Sequence, residues 1–282
     1  MKKILIPTDF SEPAEYALSL AQELAQKADA ELHLIHVVMM PHNERVEVTP
    51  KGTFADGILE DYMREFLEKS HQYLKKIVDG LKLPAGKVHY QISSGHPHQV
   101  MLAYINKHNI DLVVMGTQGA GNSPMIGSNA QKMVRIATCP VLTLRQPVRL
   151  SDIKTITFAC DLDEEQSLEG IGALKKLQQI TEAELQILFV NTPTYFNTSR
   201  QIQDKLTYFV QKHQIKGYSF ALYQELNEER GILSFLEEQP EQSSQMLALS
   251  THQRAGLSFW LAGSVTEAVV NTVGMPVFTF QF

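Results

Sequence analysis

Cysteine is nearly absent. Cys139 and Cys160 are the only two in 282 residues, which excludes a disulfide framework and leaves no thiolate pair at metal-binding spacing. Basic charge is not in surplus either: 25 Lys and Arg face 31 Asp and Glu, a net charge of −6, so the bulk attraction for a nucleic-acid backbone is missing. Long apolar runs are lacking, and Leu112-Val113-Val114-Met115 is of strand length, far short of a membrane span. Only Ile4-Leu5-Ile6 separates Met1-Lys2-Lys3 from Pro7, too little for a signal peptide. No low-complexity tract occurs. What remains is the expectation of a cytosolic, globular protein with reduced cysteines, no membrane segment and no nucleic-acid partner, long enough for two cores of ordinary domain size.

What is present is a repeat. Gly127-Ser128, a helix-like stretch and Cys139-Pro140-Val141-Leu142-Thr143-Leu144 recur as Gly263-Ser264, a similar stretch and Met275-Pro276-Val277-Phe278-Thr279-Phe280, every landmark displaced by 136 residues. A constant offset over some 18 positions implies two tandem copies of one domain, here bounded at 1–147 and 152–282.

The first copy alternates strand and helix. Strands are expected at 3–7, 31–38, 88–92, 111–115 and 140–144, the apolar runs of a sheet buried on both faces. Helices are expected from Ser11, as a cap with Pro13 in the first turn, and at 58–81, 99–107 and 129–137. A polar loop covers about 41–57. The second copy repeats the order, with strands at 154–159, 184–190, 216–223, 245–249 and 276–280 and helices at 165–180, 201–213, 232–239 and 264–273. The fold class is α/β: two Rossmann-like domains, each a mostly parallel five-stranded sheet with helices on both faces. The short junction and the two final strands, each an open edge if left alone, predict that the copies pair as a pseudo-dimer.

Two segments of the first copy converge at the carboxyl ends of its strands, where open α/β sheets bind ligands. One is Pro7-Thr8-Asp9. The other is Met115-Gly116-Thr117-Gln118-Gly119, followed by Gly127-Ser128 at a helix start. Glycines let a ligand approach the backbone, and a helix N-terminus suits phosphate. An aspartate can accept hydrogen bonds from a sugar or base. The bland alternative is that the glycines shape turns and Ser128 caps its helix. No P-loop lysine motif is present, and Gly119-Ala120-Gly121 has Pro124 where a dinucleotide fingerprint needs its third glycine.

These residues resemble the universal stress protein family: Pro7-Thr8-Asp9-Phe10-Ser11, Asp111-Leu112-Val113-Val114-Met115-Gly116-Thr117-Gln118-Gly119, Gly127-Ser128 and Cys139-Pro140-Val141-Leu142, through nearly the whole chain as two copies. The resemblance implies five-stranded Rossmann-like domains, and for some members ATP held by a G-x2-G-x9-G-[ST] motif. Carried over by position, it implies that Thr8 and Asp9 meet the adenosine and that the Val37 backbone meets the base. Met115 and Gly116 would flank the sugar and phosphates, with Gly119, Gly127, Ser128 and Asn129 on the phosphates. In the second copy Asp161, Val190, Gly263 and Ser264 would take the corresponding places. Single-domain members pairing through the final strand would support the pseudo-dimer, and a further homodimer is open.

Neither copy keeps the motif whole. The first has all three glycines but seven residues, 120–126, where nine are expected; the second has nine, 254–262, but Ser250 and Gln253 replace the first two glycines. A side chain where positive φ is needed costs about 1–2 kcal/mol, so the first copy is the better site. The leading reading is a stress-response protein binding ATP or a related adenine nucleotide, with Mg²⁺, as a sensor or regulator of an unidentified protein partner. A nucleotide-free interaction module is the alternative, and a slow ATPase a weaker one; no general base or Mg²⁺-carboxylate motif is evident, so no enzyme is expected. His96-Pro97-His98 lacks a third ligand at zinc spacing and reads as a solvated loop, with no metal. His36 reads as a packed, hydrogen-bonded strand residue, and Trp260 as a burial site.

Overall fold

The protein is described by a computed structural model over residues 1–39, 54–117, 128–162, 168–240, 242–251 and 273–281. Ten strands make one continuous sheet in the order β3-β2-β1-β4-β5-β10-β9-β6-β7-β8. The first half contributes β1 (Lys3–Pro7), β2 (Glu31–Val38), β3 (Val88–Ser94), β4 (Leu112–Gly116) and β5 (Val141–Leu144). The second contributes β6 (Thr155–Ala159), β7 (Glu184–Asn191), β8 (Tyr218–Gln224), β9 (Gln245–Thr251) and β10 (Val277–Gln281). Within each half all pairings are parallel, as the strand–helix alternation requires.

The halves join through one antiparallel pair, β5 with β10, in the register Val277↔Thr143, Phe278↔Leu142 and Thr279↔Val141. Leu142 and Phe278 are 136 residues apart, so the repeat unit meets itself at its own equivalent position. Pairing the two final strands, as the sequence predicts, removes both open edges there.

Helices cover both faces. On one lie α1 (Glu12–Ala28), α2 (Phe54–Gly80), α5 (Leu168–Thr181) and α6 (Ser199–Lys212); Leu20, Leu24, Leu74, Leu174, Phe209 and Phe278 belong to a single core on that side. On the other lie α3 (Pro97–His108), α4 (Ser128–Ile136) and α7 (Glu228–Glu237), whose core joins Ile105 and Met133 to Leu188 and Phe235. Each core crosses the seam, so the halves share apolar burial as well as a strand ladder. The connection carries a 3-10 turn, Leu150–Asp152, pinned where Leu150 N–H donates to Glu23 Oε2 at 2.7 Å. Lys27 Nζ also reaches Glu182 Oε1 at 3.1 Å across the halves.

Several details correct the sequence reading. Ser11 occupies the N-cap of α1 but caps nothing with its side chain. Its hydroxyl and its N–H both donate to Asp9 Oδ1, because a carboxylate two residues upstream out-competes the helix end. His96-Pro97-His98 is no loop: His96 is the N-cap and Pro97 opens α3, a position where its missing N–H costs nothing. α6 and α7 start before the expected residues because Thr198 forms a capping box with Gln201 and Asn227 accepts from Arg230 N–H, signals of the kind that fix helix starts. The helix expected at 264–273 lies outside the described residues except for Val273, which is not helical, and Trp260 lies outside them.

Candidate functional site

Strand order reverses between β1 and β4, and a cleft of about 260 Å³ opens above their carboxyl ends. Thr8, Asp9, Val37, Met115, Gly116 and Asn129 all line it, so six of the nine positions expected in the first half converge. The N-terminus of α4 faces the same space through Asn129 and Ala130. Ser128 is the first residue of α4. Gly119 and Gly127, like Gly263 and Ser264 of the second half, lie outside the described residues.

The turn after β1 is firmly braced. Thr8 N–H donates to Ile35 O at 2.9 Å, and Phe10 N–H donates to Thr8 Oγ1 at 3.1 Å. Phe10 sits at φ 63°, the left-handed region that a bulky residue enters only under tertiary constraint. The constraint is visible: its ring packs 4.4 Å from His36 and 5.9 Å from Tyr73. His36, buried in β2, donates from Nδ1 to Thr8 O at 2.8 Å, the packed role its strand position implied. Asp9 is thereby held at the mouth with Oδ1 occupied by Ser11, which leaves Oδ2 the oxygen with capacity for a ligand.

Gly116 has a role the sequence did not reveal. A Cβ there would stand 2.2 Å from the Pro13 carbonyl carbon and oxygen and 2.7 Å from Ala14 N. The glycine is needed so that the first turn of α1 can cross the end of β4, whatever else it admits.

The second half keeps the turn but, among the described residues, packs a helix closely against its valine. Leu162 at φ 57° repeats Phe10, and Asp161 follows β6 as Asp9 follows β1. Val190 is 9% exposed, and a Cβ on Gly231 of α7 would lie 2.4 Å from its Cγ1. The helix backbone therefore rests against the valine that, as Val37, borders an open cleft in the first half. Glu228 opens α7, where α3 has Pro97. Burial, with a smaller contribution from neighbouring Asp161, pushes the Glu228 carboxyl up to about 7. The Asp161 carboxylate, and Glu228 in its ionised form, oppose an anionic ligand beside this site. Sequence reasoning missed Glu228 because an acidic residue in a first helical turn reads as dipole bias.

The cysteines contribute no nucleophile. Burial pushes the Cys139 thiol up to about 12 and Cys160 upward as well, so neither is a thiolate at neutral pH. Among the described residues no helix is long and apolar enough to cross a membrane.

Comparison with known proteins agrees with this architecture. The sequence profile described as "Universal stress protein family" matches residues 1–145. A universal stress protein of Methanocaldococcus jannaschii is 32% identical over 149 residues, covering 52% of this chain and 83% of its own. One of Coxiella burnetii is 28% identical over 144 residues, covering 51% and 95%. Among solved structures, a universal stress protein from Archaeoglobus fulgidus superposes over 99% of this chain and 98% of its own, with a TM-score of 0.74 at 18% identity. That match supports the ten-stranded arrangement as a fold.

Proposed function

Since the chain belongs to the universal stress protein family, we propose that its first half binds an adenine nucleotide and its second half does not. The observation that carries this is the convergence of Thr8, Asp9, Val37, Met115, Gly116 and Asn129 on one cleft at the strand-order switch. Asp9 accepts from the sugar or the base amino group, the Val37 backbone meets the base, and the phosphates run toward the N-terminus of α4, where unpaired N–H groups and the helix dipole favour negative charge. ATP with Mg²⁺ is the leading ligand. Asp161 and Glu228 disfavour the equivalent path in the second half.

In this reading the protein is a nucleotide-linked regulator. Occupancy of the cleft alters how the ends of β1, β4 and α4 present themselves to a protein partner, and turnover is absent or slow. The two free thiols, Cys160 buried and Cys139 half-buried, suit a reducing cytosol. Isothermal titration with ATP and Mg²⁺ tests the reading. One site per chain that is weakened by Asp9→Ala supports it; absence of any heat with ATP, ADP or AMP replaces it with a nucleotide-free interaction module.

A further inference from the structure

At the opposite end of the strands that frame the cleft lies a second cluster. Glu31 and His33 stand two apart on β2 and so share one face of the sheet. His89 on β3 is the register partner of His33, and their rings are 4.7 Å apart. Glu31 Oε2 lies 3.4 Å from His33 Nε2 and 3.7 Å from His89 Nε2, and the three atoms are all within 4.8 Å of one another. α3 closes the site from above. Tyr104 Oη sits 3.0 Å from His33 Nδ1. One turn on, His108 stacks on the Tyr104 ring at 4.1 Å, and its enclosed Nε2 has no protein partner among the described residues.

We propose that Glu31, His33 and His89 bind a divalent cation of the class that favours imidazole, Zn²⁺ foremost, with the fourth position left to water or to His108. Two nitrogens and one carboxylate oxygen are a zinc donor set. Zn–N and Zn–O bonds of about 2.0–2.1 Å in a tetrahedron place ligand atoms roughly 3.4 Å apart, close to two of the separations found here. His33 is 4% exposed and fixed on its far nitrogen by Tyr104, the outer support that metal-bound histidines ordinarily have.

The empty and loaded states differ by one proton position. Without the cation, His33 carries its proton on Nε2 and donates it to Glu31, while Tyr104 donates to Nδ1. With the cation, Nε2 gives its lone pair to the metal, and the proton resides on Nδ1, donated to Tyr104. Because β3 is an edge strand, joined on one side only, His89 would also tie that edge to the sheet. The cluster lies roughly 13 Å along β2 from Val37, four residues at strand rise, so the proposal does not rest on the nucleotide reading.

The test uses the full, tag-free chain, stripped with chelator and titrated with Zn²⁺ and with Co²⁺. Expected are one saturable site per chain, intense visible Co²⁺ bands of four-coordinate geometry, slower hydrogen exchange in β3, and a shift of the His33 tautomer in ¹⁵N spectra. His89→Ala and Glu31→Gln, at residues that are not fully buried and so are tolerated by the fold, should each weaken binding at least about tenfold. The double variant His96→Ala/His98→Ala removes the competing pair and should leave binding intact. The proposal is overturned by no saturable binding, by binding that survives both His89→Ala and Glu31→Gln, or by binding lost in the double variant.

Discussion

Thr143 and Thr279 donate their hydroxyls crosswise over the seam. Thr279 Oγ1 reaches Val141 O at 3.1 Å and Thr143 Oγ1 reaches Val277 O at 3.4 Å. Each is 1% exposed, and the two bonds are related by the same offset as the repeat. A local two-fold axis therefore passes between Leu142 and Phe278, and the side chains obey it as well as the backbone.

Thr279→Val should destabilise the chain by about 0.5–1.5 kcal/mol, the net worth of a buried hydrogen bond, and Thr143→Val by less, because its bond is longer. Val277→Pro should cost roughly 3 kcal/mol or more, since proline removes a ladder donor in an interior strand. Urea unfolding of the three variants checks the order. Amide exchange in β5 and β10 as fast as in loops would contradict the pairing itself.

Gly116→Ala should lower stability by about 1–3 kcal/mol in the absence of any ligand, the usual cost of overpacking, because its Cβ would strike the Pro13 carbonyl. Thermal melts of the ligand-free variant decide this. An unchanged melt would mean that α1 yields easily and that the glycine serves only the cleft.

Asp9→Ala should weaken ATP binding by about 1.5–3 kcal/mol, the range for hydrogen bonds to a charged group, whereas Asp161→Ala should leave affinity unaltered and stoichiometry at one. Titration calorimetry on both variants separates the halves. The reverse pattern would move the site to the second copy.

Glu228 predicts a dependence on pH. Its carboxyl has an ordinary value of 4.5 and is raised to about 7 in the folded chain. Between those values the folded state holds a proton that the unfolded state has released, so stability is highest below 4.5, falls as pH rises through 7 and stays low beyond. Glu228→Gln should flatten that window and add about 1–2 kcal/mol at pH 8, allowing for the half-exposure of the group. Urea midpoints measured from pH 4.5 to pH 8 on both proteins check the sign.

Much of this architecture was legible. β1 and β2 fall on their expected residues because fully buried parallel strands are written as continuous apolar runs, and the short junction with two open final edges announced the β5–β10 pairing. Asp9 was singled out by its place after a strand, whereas Asn129 entered only through the family resemblance. What escaped needed the third dimension. Nothing local in Gly116 names Pro13 as its neighbour, and nothing near Val190 tells that Gly231 lets α7 rest on it. His33 and His89 are 56 residues apart and meet only through the parallel register. The early starts of α6 and α7 were within reach, because Thr198 with Gln201 and Asn227 before two glutamates are capping signals, outranked in the reading by apolar periodicity that begins later.

Leucine stands opposite phenylalanine where the two-fold axis crosses β5 and β10. Two separate copies encoded by one gene could never place unlike residues there, since every substitution would be mirrored in the partner. Fusing the copies lifts that restriction and keeps their association independent of concentration. Each half then drifts under its own selection while the other holds it in place. An open cleft in one half, a helix packed on the matching valine in the other, and a histidine cluster at one far end of the sheet are forms of inequality that identical copies of one chain cannot inherit.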